Sequence, residues 1–209
     1  RGMIMTKLYL IRHGQTGDNY SQRFCGWTDA PLNELGKSQA QSLTSAFEDI
    51  EIDIIYTSDL KRAKETASYI KKGKGFFVKE LDSLRELNFG VAEGLIVEEI
   101  KEKHPQVYED MEKDYIGAKF PEGESLEDMH NRVSQAIDDI LVKHDGQSIA
   151  LVAHSGVIRS IISHLITGDI KHHWSFKIDN CSITVIEKDK NFAFLTKLND
   201  TWHLKDINL

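Results

Sequence analysis

Short apolar runs that alternate with longer segments of helical periodicity are the feature of this chain that most restricts its fold. Aliphatic, β-branched and aromatic residues dominate these runs, which are predicted as buried strands at residues 7–12, 53–57, 76–79 and 148–153. Apolar residues recur at helical spacing over residues 33–47, 60–70, 126–141 and 157–166. Strands that alternate with helices predict an α/β fold, a three-layer sandwich with a mainly parallel central sheet and helices on both faces.

Residues with capping chemistry stand at the ends of two of the predicted helices. Ser58 precedes the second helical segment as a candidate N-cap, and Gly73 and Gly75 are expected to end it. Ser125 is predicted to cap the helix that follows it.

The rest of the chain predicts a hairpin and an insertion. Residues 181–187 and 192–198 alternate as two strands around the residues DKN, which is a hairpin signal. Residues 95–123 have no strand signal and many charges, and we expect a small helical insertion there. The length suits one domain, residues 1–209. Residues 1–4 are interpreted as in part an artificial addition to that domain.

Charge and cysteine content exclude several classes of partner. The formal net charge is −7, which argues against a broad basic surface for nucleic acid or anionic lipid. Two cysteines are too few for a disulfide framework. No apolar run approaches membrane-spanning length, and the opening run is too short for a signal peptide. We expect a cytoplasmic protein whose partner is a small molecule.

Two predicted strands end in similar motifs. Arg12-His13-Gly14 follows the first strand, and His154-Ser155-Gly156 follows the strand at residues 148–153. The carboxyl ends of strands line the ligand crevice of open α/β sheets, so the two motifs should meet there. A single histidine in such a place is more often structural, but two in matching positions indicate a site.

A second arginine strengthens this interpretation. Arg62 lies one turn into the helix that follows the second predicted strand. A helix N-terminus favours an anion, and a guanidinium adds a permanent, forked charge. Pairing with Glu65 or Asp59 on the surface is the alternative for this arginine alone. Together with Arg12 and the two histidines, it predicts a phosphate pocket.

The ordered motifs of the chain resemble those of the histidine phosphatase superfamily, the phosphoglycerate mutase-like group. The matching segments, in the family's order, are RHGQT with Asn19, GWTDAPLNELGKSQA, YTSDLKRAKETA, LRELNFGVAEG, PEGES, LVAHSG and NCSIT. They span nearly the whole chain, and the similarity points most to α-ribazole phosphatases and broad-specificity phosphatases.

The resemblance implies a two-step phosphoryl transfer through a phosphohistidine. His13 would be the nucleophile and Glu86 the proton donor to the leaving alkoxide. Arg12, Arg62 and His154 would hold the phosphoryl oxygens. The substrate-binding residues implied beside these are Asn19, Cys25, Gly26, Ser155 and Gly156. The insertion at residues 95–123 would then be a lid over the active site.

Some positions leave alternatives open. Glu93 and Asp82 are other nearby acids, and Glu86 could instead be a surface carboxylate paired with Arg85. Many relatives have Trp where this chain has Ala92, and Cys25 stands where Ser or Gln is common. Cys25 is either an oxidation-prone thiol near the arginines or a small buried residue.

No metal or cofactor is expected. His164, His172 and His173 lack acidic or cysteine ligands at convincing spacing, and exposed helix-end histidines are the preferred interpretation. The favoured function is a phosphomonoesterase acting on a small phosphorylated metabolite, with α-ribazole phosphate as a candidate. A cofactor-dependent phosphoglycerate mutase is the alternative, disfavoured because residues 95–123 contain no arginine to grip a second acidic group. A catalytically silent phospho-ligand-binding module is a third, disfavoured because nucleophile, arginines and acid are all present.

Overall fold

The computed structural model describes residues 5–71, 75 and 77–207. Its strands are β1 Thr6–Arg12, β2 Ile54–Ser58, β3 Val78–Leu81, β4 Ser148–Ala153, β5 Ile183–Lys188 and β6 Ala193–Asp200. Its α-helices are α1 Gly17–Tyr20, α2 Glu34–Ala46, α3 Lys61–Lys71, α4 Val97–Lys103, α5 Pro105–Lys113, α6 Leu126–Lys143 and α7 Ser155–Ile162. A π-helical turn, Ser163–Thr167, and a 3-10 turn, Ile170–Ser175, follow α7.

The strands form one six-stranded sheet in the order β3-β2-β4-β1-β5-β6. The first four in this order are parallel, whereas β5 runs antiparallel to β1 and β6 antiparallel to β5. This confirms the α/β prediction with a mainly parallel sheet and a C-terminal hairpin. In register, Arg12 lies opposite Ala153 and Thr57 opposite Val152, so β1, β2 and β4 end at one edge of the sheet.

The helices cover both faces of the sheet because successive strand residues point to opposite sides. On one face, Leu8 and Leu151 belong to a buried cluster with α6 and α7. On the other, Ile55 and Val152 belong to a cluster with α2 and α3. All four side chains are fully buried, and each burial contributes roughly 1.5–3 kcal/mol. The central strands are therefore firmly held, together with the motifs that follow them.

Local chemistry explains where two helices begin. Asn33 caps α2 by accepting from Gly36 N at 2.8 Å. Ser125 caps α6 by accepting from Asp128 N at 3.0 Å, and Asp128 accepts from Ser125 N in return. The Ser125 prediction is confirmed, and such a cap contributes about 1 kcal/mol.

The prediction for Ser58 is wrong. Helix α3 begins three residues later, at Lys61, and Ser58 is the last residue of β2. The Lys61 N–H donates to Asp29 Oδ1 at 2.7 Å, so a carboxylate from a distant loop caps the helix. The predicted helix end at Gly73 and the start of the third predicted strand at Phe76 lie outside the described residues.

The predicted insertion is helical. It contains α4 and α5, which pack around a third small cluster, Ala92, Ile100, Val107 and Phe120. Ala92 is fully buried there, where it packs with the insertion. None of the described helices combines the length and apolar character that crossing a membrane requires.

Candidate active site

His13 lies buried at the carboxyl end of β1, and one of its ring nitrogens forms a hydrogen bond within the protein. Its Nδ1 is 2.7 Å from the Gly14 carbonyl oxygen. A carbonyl only accepts, so Nδ1 carries the proton and Nε2 keeps its lone pair. Burial, followed by the charges of Arg62 and Arg12, holds the pKa of His13 well below its usual value. The ring is therefore neutral and has a nucleophilic nitrogen at neutral pH.

Arg12 supplies the first positive charge of the site. Its Nη1 donates to the Ile178 carbonyl at 2.7 Å. Its Nε is buried and has no hydrogen-bond partner within the described part of the chain. Burial lowers the pKa of Arg12 to about 10, which leaves it charged at neutral pH. The unpartnered donor is what an anion-binding group requires.

Arg62 is fully buried, and most of its N–H groups donate to acceptors within the protein. Nη1 donates to the Thr28 carbonyl at 2.8 Å and Nη2 to the Gly26 carbonyl at 2.6 Å, with a longer 3.5 Å contact to the Cys25 carbonyl. Nε donates to His154 Nδ1 at 3.3 Å. A guanidinium has five N–H groups, so one N–H on Nη1 is left for a ligand. The alternative surface pairing with Asp59 or Glu65 is wrong.

His154 stands beside His13, with the ring centroids 5.1 Å apart. Its Nδ1 accepts from Arg62, so a neutral ring carries its proton on Nε2, which lies 2.9 Å from Ser58 Oγ. Burial, reinforced by Arg62, holds the pKa of His154 well below its usual value. Both nitrogens thus have protein partners, and a phosphoryl oxygen would have to replace Ser58 at Nε2.

Glu86 is buried, and its carboxylate contacts the first residues of α7. Gly156 N donates to its Oε2 at 3.0 Å, Ser155 Oγ is 3.4 Å from the same oxygen, and Leu87 N donates to Oε1 at 3.0 Å. A Cβ on residue 156 would overlap the Glu86 carboxylate, so glycine is required for this approach. The structure therefore joins three predicted residues, Glu86, Ser155 and Gly156, on the side of the site nearest α7.

The alternatives for the acid do not match the geometry. Arg85 forms an ion pair with Asp59 rather than with Glu86. Asp82 is exposed, whereas Glu86 is 8% exposed. Glu93 accepts from several donors of the loop at residues 26–28, as described next.

Glu93 braces the loop that holds Arg62. Its Oε2 accepts from Gly26 N at 3.1 Å, Thr28 N at 3.2 Å and Thr28 Oγ1 at 2.7 Å. Its Oε1 accepts from Trp27 N at 2.8 Å and Phe89 N at 3.1 Å. A Cβ at residue 26 would collide with the Leu87 carbonyl and with Glu93, which explains the glycine. The Gly26 N–H, expected to face the substrate, is bonded to Glu93 instead.

Asn19 and Cys25, two predicted substrate-binding residues, are both half-buried. Asn19 Oδ1 accepts from Thr16 N at 3.1 Å and is 3.3 Å from Asn180 Nδ2, which also donates to the His13 carbonyl. Cys25 is a free thiol, and burial raises its pKa to about 12. It therefore stays protonated, which argues against the interpretation as a reactive thiolate.

Sequence reasoning missed the groups that hold the Glu86 backbone. Arg132 of α6 donates from Nη1 to the Arg85 carbonyl at 3.0 Å and pairs with Glu124. Trp27 Nε1 donates to the Glu86 carbonyl at 2.9 Å. A single sequence contains no pattern that links these residues, because they come from three separate segments.

A cavity of about 350 Å³ adjoins Glu86, Ser155 and Gly156. Residues of the insertion form one wall, in agreement with its predicted position over the site. Arg159 of α7 forms part of another wall and was also missed. Its position four residues after Ser155, on the same helix face, is the one sequence signal that could have revealed it.

The histidines outside the site match the expectation only in part, because His172 is exposed as predicted. Among residues 5–71, 75 and 77–207, no group of three or more His, Cys, Asp or Glu side chains could hold a metal ion. His164 lies 2.9 Å from an Asp138 oxygen. His173 is buried rather than exposed, and burial lowers its pKa to about 3.

Comparison with known proteins agrees with this geometry. A model described as the histidine phosphatase superfamily (branch 1) matches residues 8–201. The chain is 34% identical to phosphoserine phosphatase 1 of Hydrogenobacter thermophilus over 203 residues, 97% of this chain and 96% of that protein. The alpha-ribazole phosphatase from Shigella flexneri matches with a TM-score of 0.88 and 29% identity, over 93% of this chain and 96% of that one. A phosphoserine phosphatase from Entamoeba histolytica, crystallised as a mutant with phosphoserine, matches with a TM-score of 0.84 and 30% identity, over 95% and 99%.

Proposed function

The chain belongs to the histidine phosphatase superfamily and is a phosphatase of that group, and we propose that it hydrolyses a small phosphorylated metabolite through a phosphohistidine at His13. The observation that carries the proposal is the hydrogen bond between His13 Nδ1 and the Gly14 carbonyl. That bond leaves the lone pair on Nε2, and the lowered pKa keeps it unprotonated at neutral pH. In this proposal, residues 1–209 act as one catalytic domain with residues 95–123 as its lid.

In the first step, Nε2 of His13 attacks phosphorus, and the bond between phosphorus and the leaving oxygen breaks. Glu86, protonated before the step, gives its proton to that oxygen, so the product leaves as a neutral alcohol. In the second step, water attacks the phosphohistidine and the N–P bond breaks. Glu86, now a carboxylate, takes the proton of the water, and the electron pair returns to Nε2.

Positive charge near the phosphoryl group lowers the barrier of both steps. Arg12 is charged and has an unpartnered donor, and Arg62 retains one N–H. The transition state spreads charge over the phosphoryl oxygens, which fixed donors stabilise without reorganising. Asn19 and His154 complete the cradle in this proposal, with His154 also orienting Arg62 through its Nδ1.

The identity of the substrate is a separate part of the proposal. α-Ribazole phosphate is the candidate from the sequence resemblance, which the similarity to the alpha-ribazole phosphatase supports. Phosphoserine is a second candidate, supported by the names of two relatives. Hydrolysis is favoured over mutase activity because residues 95–123 contain no arginine. A silent binding module is disfavoured because nucleophile, arginines and acid lie together.

Rapid-quench labelling tests the proposed intermediate. Wild type incubated with ³²P-labelled 4-nitrophenyl phosphate should carry label that is stable in base and lost in acid, as expected for a phosphoramidate. His13→Ala should carry none and turn over nothing, while His164→Ala, a surface control, should behave as wild type. Acid-stable label, or label on folded His13→Ala, would refute the mechanism. A panel of α-ribazole phosphate, phosphoserine and 3-phosphoglycerate, assayed for both phosphate release and isomer formation, decides between the substrates and between hydrolase and mutase.

A further inference from the structure

The cavity beside Glu86 lies where the leaving alcohol must go. Glu86, Ser155 and Gly156 form its inner end, and the acid that protonates the leaving oxygen must contact that oxygen. The alcohol then extends from Glu86 into the cavity, away from His13. This inference rests on the proposed function, because it takes Glu86 as the acid.

The walls of the cavity are mostly apolar and aromatic. The rings are Phe24, Phe89, Tyr115, Phe120 and Trp174. Phe89 and Phe120 meet edge to face, with their centroids 5.3 Å apart. Aromatic walls favour a planar, apolar body over a small polar one. The volume of about 350 Å³ also exceeds what a three-carbon alcohol fills.

Arg159 is a charged side chain in these walls whose guanidinium has donors to spare. Its Nε donates to the Phe176 carbonyl at 2.8 Å, and its guanidinium stacks on Trp174 with the central carbon 5.0 Å from the ring centroid. Within the described residues, Nη1 and Nη2 have no hydrogen-bond partner, and neither is buried. The stack and the Nε bond hold the fork in one orientation, which is the preorganised form that binds a planar anion in two places.

The charges around Arg159 select the anion. Glu86 attracts Arg159 electrostatically, and Glu112 of the insertion also lines the cavity. The Glu112 carboxylate keeps negative charge in the cavity even when Glu86 is protonated for catalysis, which disfavours a second group with two negative charges. A singly charged carboxylate matches both the fork and the local charge.

We propose that the preferred leaving alcohol has an aryl-like, apolar body and bears a carboxylate that Arg159 binds. Residues 95–123 contain no arginine that could bind a second acidic group. The guanidinium comes instead from α7, beside the catalytic edge of the sheet. Arg159 is thus assigned as a specificity-determining residue of the cavity.

The test compares isosteric substrates that differ in charge. The 3- and 4-carboxyphenyl phosphates are assayed beside the corresponding carbamoylphenyl phosphates, with kcat/KM measured for each. In wild type, at least one carboxylate should exceed its carbamoyl partner about tenfold or more, as expected for a hydrogen bond between charged groups. Arg159→Met should reduce that ratio to about one, mainly by raising the KM of the carboxylate substrate more than that of the carbamoyl substrate.

The controls separate binding from structure. Lys113→Met removes a positive charge from α5 outside the cavity and should leave the ratio unchanged, because Lys113 is exposed and pairs with Glu109. If Arg159 only holds the Phe176 backbone, Arg159→Met lowers both rates equally and the ratio persists, which overturns the proposal. A wild-type ratio near one, or a preference for carbamoyl, overturns it as well. Hydrolysis of 4-nitrophenyl phosphate with either result shows that the phosphatase activity stands when the carboxylate proposal fails, whereas no hydrolysis of any substrate overturns both.

Discussion

Replacing Glu93 with glutamine should destabilise the chain and weaken catalysis without changing its dependence on the leaving group. The carboxylate accepts from Gly26, Trp27, Thr28 and Phe89, and the loop it holds presents the carbonyls that bind Arg62. Glutamine keeps one acceptor oxygen. Its amide nitrogen would face the N–H groups of Gly26 and Thr28, which then lose their acceptor.

The structure gives the size of this effect. A hydrogen bond to a charged group contributes about 1.5–3 kcal/mol net, and two backbone donors lose such a bond. Thr28 is exposed and water can replace part of the loss, so the lower value applies to each. The free energy of unfolding should fall by about 3 kcal/mol. The Thr28 hydroxyl can turn to accept from the new amide, so it adds nothing to this figure.

Urea unfolding and steady-state kinetics measure the two consequences. Because Arg62 is proposed to contact the phosphoryl group that every substrate shares, kcat/KM should fall by a similar factor for 4-nitrophenyl phosphate and for an alkyl phosphate. Glu102→Gln, an exposed change on α4, is the control and should alter neither quantity. Unchanged stability in Glu93→Gln would refute the bracing role. A loss confined to alkyl phosphates would make Glu93 the acid.

Two further outcomes follow from the site. Glu86→Gln should lower kcat/KM about 10²-fold or more for an alkyl phosphate and much less for 4-nitrophenyl phosphate, whose leaving group needs no proton; equal losses in the two assays would remove Glu86 from the acid role. The free energy of unfolding should fall as the pH drops from 7 to 5. Burial lowers the pKa of His13, His154 and His173 in the folded chain, so below about pH 6.5 these residues bind protons only when the chain is unfolded. His173, whose pKa is lowered to about 3, contributes up to about 1.4 kcal/mol per pH unit to this dependence of the free energy of unfolding on pH. Urea unfolding of His173→Gln at several pH values should show the pH dependence reduced by this amount. An unchanged pH dependence would be evidence against a buried neutral ring.

The positions of strands and caps were predictable from neighbouring residues. The apolar runs became β1, β2 and β4 within a residue of the predicted bounds, and Ser125 caps α6. The failure at Ser58 has a clear cause. Its hydroxyl lies beside Nε2 of His154, the residue after β4, and accepts only a long 3.4 Å bond from Leu60 N. Asp29, from a distant loop, caps the helix instead.

The sequence by itself determined the α/β alternation and the placing of Arg12, His13 and His154 at strand ends, because period and strand length depend on residues close along the chain. Only the tertiary structure decided which donors remain free. Arg62 meets His154 across 92 residues and Glu93 meets the Trp27 backbone across 66. Such bonds depend on how helices and loops pack on the sheet, which no local pattern encodes. The same packing places Arg159 in the cavity wall and bonds the Gly26 N–H to Glu93. The residues at the carboxyl edge of the sheet were therefore predictable, and the hydrogen bonds that they form were not.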